Sequence, residues 1–258
     1  MKAVILCAGL GKRLRPYTDS YQKAMILIHG KPLLEYIING LIYAGFKDLI
    51  IVVGYRKEQI IEYFKDGKSW GIKIEYLEQK NLNGTGGAVL LCEKLIHNSH
   101  FLLTWGDILV PYNIYKDVVE KFKKENQDFI LVTNYTEDPY KGGAVYCKND
   151  YLLDIIEKPP IGKSKSNLNN CGIFIFSAEI FEVLNTLKPS KRGEVELTEA
   201  IRNGINLRNW KVRVIKMKKN QFRGDFGDIT SCEKLRETSS WLSKLENKAK
   251  DSKNIFPN

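Results

Sequence analysis

No two of the five cysteines are spaced as Cys-x-x-Cys, and their number is odd. Cys7, Cys92, Cys147, Cys171 and Cys232 are scattered, so neither a zinc knuckle nor a redox pair is indicated. Cys7 and Cys147 lie inside apolar runs and read as small core residues. Reduced thiols make the cytoplasm the expected compartment. The N-terminal apolar stretch is too short for a signal peptide, and no run approaches the length of a membrane span. Neither an aromatic-basic RNA motif nor a helix-turn-helix signal occurs. The excess of 40 Lys+Arg over 30 Asp+Glu, a formal charge of +10, is therefore not read as a nucleic-acid footprint. It suits a smaller polyanion such as a nucleotide. Lysines on helix faces such as 120–125 read as solvated. The three histidines, His29, His97 and His100, are expected on loops or surfaces rather than in chemistry. There is no internal repeat and no linker long enough to divide the chain.

What is present is ordinary globular composition: 258 residues, 43% hydrophobic and 27% charged. A domain of this length buries roughly 70–75% of its unfolded surface, enough for a core without disulfides. Strands alternate with helices through the first half, which argues for an α/β sheet. Ala3–Cys7 reads as a buried strand. Pro32 opens a helix that runs through Ala44, with Gly45 at its end. Strands are expected at 48–53, 72–77, 101–104 and 129–134, then at 143–147, 151–156, 172–176 and 211–217. A glycine-rich loop at 84–87 opens a helix reaching Leu95. Residues 159–169 read as a polar loop, and the last 30 residues as one helix followed by a polar tail.

The first strand runs into Gly9-Leu10-Gly11-Lys12-Arg13-Leu14-Arg15. Two glycines let the backbone turn in ways closed to other residues and expose amides where an anion can sit. Lys12, Arg13 and Arg15 then offer charge-assisted hydrogen bonds to phosphate oxygens. An ordinary strand-to-helix turn with solvated charges accounts for these residues equally well. The loop is not a Walker-type P-loop, and it lacks the third glycine of a dinucleotide fingerprint. Ligands of open α/β sheets gather at the carboxyl ends of strands. Here those ends carry Gly9–Arg15, Gly54-Tyr55, Glu78-Gln79, Gly106-Asp107 and Glu157-Lys158.

At this point the chain resembles the sugar-1-phosphate nucleotidyltransferases. Ala8-Gly9-Leu10-Gly11-Lys12-Arg13-Leu14-Arg15-Pro16-Tyr17-Thr18 is similar to that family's opening signature. Lys23 and Gly30-Lys31-Pro32 follow in order. Glu78-Gln79 with Gly84-Thr85-Gly86-Gly87-Ala88 resembles its base-reading segment, and Gly106-Asp107 its metal-binding pair. Glu157-Lys158-Pro159, Asn170-Cys171-Gly172-Ile173 and Gly193-Glu194-Val195-Glu196-Leu197-Thr198 resemble later motifs, the last common in members acting on glucose 1-phosphate.

The resemblance implies an α/β, Rossmann-like mixed and mostly parallel sheet flanked by helices. Residues 1–258 are expected to form one nucleotidyltransferase domain, with its core at about 1–230 and a C-terminal helix and polar tail at about 231–258. The implied reaction is attack of a sugar 1-phosphate on the α-phosphate of an NTP, releasing pyrophosphate. Arg13, Lys23 and Asp107 are the implied catalytic residues. Lys23 would neutralise the α-phosphate and the incoming sugar phosphate, and Arg13 the leaving pyrophosphate. Ala8, Gly9, Gly11, Lys12, Gln79, Gly84 and Thr85 complete the implied nucleotide site. Gln79 has a donor and an acceptor and so can read a pyrimidine edge. Tyr55, Gly143, Glu157, Lys158, Asn170 and Cys171 are the implied sugar-phosphate residues, with Trp105 packing beside the site. Magnesium is the implied cofactor, on Asp107 and Asp225. UTP or dTTP is the expected donor. Cytidylyl or guanylyl transfer to a sugar or another small phosphate is the alternative, as is a catalytically weak sensor that keeps the pocket. The partners expected are these substrates and a further copy of the chain, without nucleic acid or membrane.

The chain departs from the family pattern at four places. Lys12 stands where a small Thr or Ser is usual. A proline-rich segment around the signature lysine becomes Gln22-Lys23-Ala24-Met25-Ile26-Leu27, which should loosen that loop. Arg223 and Asp228 flank Asp225 in place of Trp and Thr, which weakens its assignment to the metal. No left-handed β-helix repeat follows residue 230, so a short single-domain form is expected.

Overall fold

Successive side chains of the first strand enter two different cores. Ala3, Ile5 and Cys7 belong to one buried cluster, and Val4 and Ala8 to the other. Alternate residues of a strand face opposite sides of its sheet. A strand covered on both faces therefore reads as a continuous apolar run rather than an alternating one. The same division holds in 48–53, where Leu49, Ile51 and Val53 lie on one side and Ile50 and Val52 on the other.

The structure, a computed structural model, describes residues 1–245. Its strands are β1 (Lys2–Cys7), β2 (Leu27–Ile28), β3 (Lys31–Pro32), β4 (Asp48–Val53), β5 (Lys73–Glu78), β6 (Phe101–Trp105) and β7 (Ile108–Leu109). There follow β8 (Phe129–Tyr135), β9 (Gly143–Lys148), β10 (Tyr151–Glu157), β11 (Leu168–Phe176), β12 (Val212–Lys216) and β13 (Gly224–Asp225). Nine of them form one sheet in the order β5-β4-β1-β6-β11-β8-β12-β10-β9. β5, β4, β1 and β6 are mutually parallel, and so are β8 and β12. β11 lies antiparallel between β6 and β8, so both parallel groups point the same way. The sheet is mixed and mostly parallel, as expected, with β11 and β10 the two strands that run against the rest.

Helices cover the faces. Leu33–Tyr43 packs against Tyr112–Lys124 on one side, and Thr85–Leu90 against Glu179–Thr186 on the other. The helix after Pro32 ends where Gly45 takes a φ of +91°. Phe101, Phe129, Phe174, Phe176 and Phe181 fill the second core. Full burial of such a ring contributes roughly 1.5–3 kcal/mol.

Three expectations need correcting. The helix from 84 to 95 is two, Thr85–Leu90 and Glu93–Ile96. The polar loop expected to end at 169 is shorter, because β11 begins at Leu168. Leu168, Asn169 and Asn170 pair with Tyr135, Asn134 and Thr133, and both asparagines are buried. Their polarity hides the strand from a pattern reading because it faces a cavity rather than water. Lastly, Ile229–Glu237 is followed by a short helical turn at Leu242–Leu245. Trp241 there is 2% exposed and stacks on Phe222 at 5.5 Å, so this stretch is core rather than tail. The remainder of the expected polar tail lies outside the described residues. Among the described residues no helix is long and apolar enough to cross a membrane.

Candidate active site

A cavity of about 740 Å³ opens at the carboxyl ends of β1 and β6. It extends past Gln79 at the end of β5 to Glu157 at the end of β10. β10 reaches it through the β9–β10 hairpin, where Glu157 pairs with Gly143 and Ala144 pairs with Asn169 of β11.

The loop after β1 forms one rim. Gly11 takes a φ of +62°, and a Cβ there would lie 2.7 Å from Thr18 Cγ2. The Thr18 hydroxyl donates to the Gly11 carbonyl at 3.0 Å, which holds the turn shut. A Cβ on Gly9 would meet nothing among the described residues within 4 Å. No protein contact requires glycine there, and its open side borders the cavity. Lys12 and Arg13 are exposed and line the same space. Ser231 N–H donation, together with the charges of Arg13 and Lys141, holds the Asp228 carboxyl below the usual range against partial burial.

Lys23 is positioned by its neighbour. Gln22 is 1% exposed and knots its loop to the end of β1. Its amide donates to the Cys7 carbonyl at 2.5 Å and accepts from Ala24 N–H at 2.5 Å. Its own N–H donates to Gln59 Oε1 at 2.6 Å. The looseness expected from the missing prolines is thus opposed by three hydrogen bonds of one residue, two from its buried side chain and one from its backbone.

Lys23 Nζ donates to the Asp107 carboxylate. Burial pushes that carboxyl up, but the Lys23 charge and hydrogen bond, with Arg223 beyond, outweigh it and hold it low. Asp107 and Asp225 are brought together by the β7–β13 ladder, in which Asp225 pairs with Ile108. Phe226 N–H donates to the Asp107 carbonyl at 3.0 Å. Arg223 Nη2 lies 3.1 Å from Asp225 Oδ2. Among the described residues no group of three or more His, Cys, Asp or Glu could hold a metal ion. Two hard carboxylates bordering a cavity fit magnesium, which takes one or two protein oxygens and completes its shell with phosphate oxygens and water.

At the β5 end, Gln79 is 7% exposed. Its Nε2 donates to the Gly84 carbonyl at 2.9 Å and to Asn83 Oδ1 at 3.1 Å. A backbone carbonyl can only accept, which settles the orientation of the amide. Gly84 has a φ of +100°, and a Cβ on it would lie 2.7 Å from the Val195 carbonyl. The Thr85 hydroxyl accepts from Leu197 N–H at 3.3 Å. The segment 194–197 thus closes over the glycine-rich loop from a distant part of the chain.

At the other end, Glu157 accepts from Thr198 Oγ1 at 3.4 Å and lies 3.7 Å from Arg192. Burial and the nearby Glu196 push its carboxyl up, only partly offset by Lys158 and Arg192. Lys158 has a φ of +41° and donates its N–H to the Gly142 carbonyl at 3.0 Å. Asn170 Oδ1 accepts from Gly172 N–H at 2.8 Å. Its Nδ2, and Oδ1 of Asn169, are buried without partners among the described residues. Buried polar atoms of this kind are costly unless something pairs with them.

Of the residues singled out for the site, Tyr55 and Cys171 stand outside the cavity wall, and so does Arg15, which pairs with Asp19 instead. Tyr55 supports the wall, taking its N–H to the Ala8 carbonyl and its hydroxyl to the Thr18 carbonyl at 3.0 Å. Cys171 is 0% exposed beneath the floor, 3.6 Å from Met217 Sδ. The others line the cavity, and so does Trp105. None of the three histidines does. Asn169, Thr198 and Arg192 were missed. Asn169 was signalled by an asparagine pair entering an apolar strand; Arg192, in a polar loop, carried no signal.

A glycine-turned loop bearing Lys12 and Arg13 after β1, Asp107 after β6 and Asp225 on β13 border one polar cavity of an α/β protein. The nucleotidyl transferase family model matches residues 2–241, and the chain belongs to that family. Bifunctional protein GlmU from Methanococcus aeolicus is 39% identical over 228 residues, 88% of this chain and 51% of that protein. UTP–glucose-1-phosphate uridylyltransferase AglF from Haloferax volcanii is 37% identical over 204 residues, 78% of this chain and 82% of that protein. A UDP-glucose pyrophosphorylase crystallised with UDP-glucose matches with a TM-score of 0.81 at 26% identity, covering 92% of this chain and 97% of that one. The chain spans about half the length of the GlmU relatives it matches.

Proposed function

We propose that this protein transfers a uridylyl or thymidylyl group from a nucleoside triphosphate to a hexose 1-phosphate. A phosphate oxygen of the sugar forms a bond to the α-phosphorus. The bond from that phosphorus to the bridging oxygen of the β-phosphate breaks, and pyrophosphate leaves with the electron pair. The observation that carries the reading is one cavity whose lining brings together Gly9, Arg13, Lys23 and Asp107, Gln79, and Glu157 with Lys158. It offers an amide for a base, cations for phosphates and a carboxylate for sugar hydroxyls on one wall. The relatives named for UTP–glucose-1-phosphate uridylyl transfer support it.

No protein nucleophile is needed, because the sugar phosphate is already an anion. The work is positioning and charge stabilisation. Lys23 would leave Asp107 for the α-phosphate and the attacking phosphate, and Arg13 would hold the leaving pyrophosphate. Magnesium on Asp107 and Asp225 would supply further charge neutralisation on the triphosphate. Glu157 would accept from sugar hydroxyls, with Lys158 on the sugar's phosphate.

Gln79 supports the choice of base. Both N–H bonds of its amide are spent on Gly84 and Asn83, which leaves Oε1 as its polar atom for a ligand. An acceptor at this position suits the N3–H of uracil or thymine. Cytosine N3 is itself an acceptor and would face Oε1 unfavourably. The test is pyrophosphate release from a matrix of nucleoside triphosphates against hexose 1-phosphates. Highest turnover is expected for UTP or dTTP with glucose 1-phosphate. No turnover with any pair, alongside intact nucleotide binding, would overturn the reading in favour of a sensor.

A further inference from the structure

Each of the two carboxylates assigned above to the metal already holds a cation of the protein. Asp107 holds Lys23, and Asp225 holds Arg223 at 3.1 Å. Before any ligand arrives, two negative and two positive charges stand together at the cavity floor. A divalent ion added to that set would bring two charges with nothing to balance them.

The two cations differ in freedom. Both line the cavity, but Lys23 projects on a flexible four-carbon stem, so a triphosphate offers it a new partner. Arg223 has a planar head that matches a carboxylate in two directions and gives up its partner less readily. Its side chain is 20% exposed, and its Nε is enclosed and has no hydrogen-bond partner among the described residues. Beneath it lies the Cys171 thiol. Two groups, the Asp225 carboxylate and the Cys171 thiol, hold its guanidinium in place.

We propose that Arg223 is a resident counter-cation of this carboxylate pair, so that the free protein binds a divalent metal ion weakly and takes it up together with the nucleoside triphosphate. The inference rests on the assignment of Asp107 and Asp225 to the metal. The triphosphate supplies the missing negative charge: it draws Lys23 off Asp107 and balances the ion beside a guanidinium that stays in place. Arg223 acts here as a positioning residue through Asp225 and not as a group that attacks or protonates.

The test is a nucleotide-free titration with Mn²⁺, followed by the paramagnetic resonance signal of the free ion. Wild-type protein should bind with millimolar affinity. Arg223→Gln should bind at least tenfold more tightly, and adding Asp225→Asn to it should abolish the gain. Arg223→Lys, which keeps the charge, should remain close to wild type. A structural role alone would make the lysine variant behave like the glutamine one, which would overturn the inference. Equal affinities in wild type and Arg223→Gln would do the same. Micromolar binding by the wild type alone would also overturn it, which keeps the test decisive if a variant fails to fold. Pyrophosphate release by the wild type separates this idea from the proposed reaction. Turnover with equal Mn²⁺ affinities sinks only the inference, whereas absence of turnover with every substrate pair sinks the reaction.

Discussion

The ammonium of Lys23 donates to the carboxylate of Asp107 across 84 residues of sequence. The two side chains are 15% and 27% exposed, so the pair is neither a solvated surface contact nor sealed in the core. It joins the loop after β1 to the end of β6, the two strand ends on which the proposed chemistry converges. In the absence of ligand each group serves as the other's counter-ion.

Removing either of the cations proposed to face phosphate should therefore separate catalysis from stability. Lys23→Ala and Arg13→Ala are each expected to reduce turnover by about 10²–10³-fold, the usual cost of losing one charge-stabilising donor. Arg13 is exposed, so its variant should melt with the wild type. Lys23→Ala should melt lower, because Asp107 is left without its partner. Pyrophosphate release and thermal melts check both, and near-normal turnover in either variant would remove that residue from its role.

The same pair gives the protein an acid-sensitive component of stability. Burial alone would push the Asp107 carboxyl up, but Lys23 and Arg223 hold it net below its ordinary value. A carboxyl lowered on folding stabilises fully above its unfolded pKa of about 3.9 and loses that contribution as pH falls through the lowered folded value. Urea denaturation followed downward from neutral pH should show this loss in the wild type. The slope should flatten in Asp107→Asn. Identical slopes would mean that the pair contributes nothing to folding.

Base choice should move with one amide. Gln79→Met removes the Oε1 acceptor while keeping a side chain of similar length. The expected result is a drop of about tenfold or more in kcat/KM for UTP, with a smaller change for CTP, because a polar base edge is left unpaired. Kinetics with both nucleotides decide it. An unchanged UTP-to-CTP ratio would take Gln79 out of base recognition.

The two glycines of the first loop should fail in opposite ways. Gly11→Ala places a Cβ 2.7 Å from Thr18 Cγ2 at a φ of +62°. It should destabilise by about 2–3 kcal/mol, combining left-handed backbone strain with the steric clash. Gly9→Ala meets no described protein atom within 4 Å. It should fold normally and yet raise KM for the triphosphate. Comparable stability losses in the two variants would show that Gly9 too is required by packing.

Much of the strand order along the chain could be read from apolar runs, because strands buried on both faces show as unbroken stretches such as 3–7 and 48–53. The glycine- and cation-bearing loop after β1 was legible for a similar reason: glycines and cations are local signals. The polar start of β11 was not, since Asn169 and Asn170 look like loop residues until the cavity they face is known. Nor was the role of Gln22, whose three hydrogen bonds reach Cys7, Ala24 and Gln59. A lost proline reads as lost rigidity only while the contacts that replace it are unseen.

The sequence by itself determined that the chain folds as an α/β sheet, and it supplied the glycine- and cation-bearing motifs and the family to which they belong. Those properties rest on periodicity and on contiguous motifs, which are written locally. The tertiary structure alone decided which charges stand together. It seated 194–197 over the glycines of 84–87, carried Glu157 to the cavity on the β9–β10 hairpin, and left Tyr55 and Cys171 behind the wall. It also gave Asp107 and Asp225 each a cation. Electrostatic partnership depends on distance through space, and residues 84 positions apart become neighbours only when the sheet is assembled.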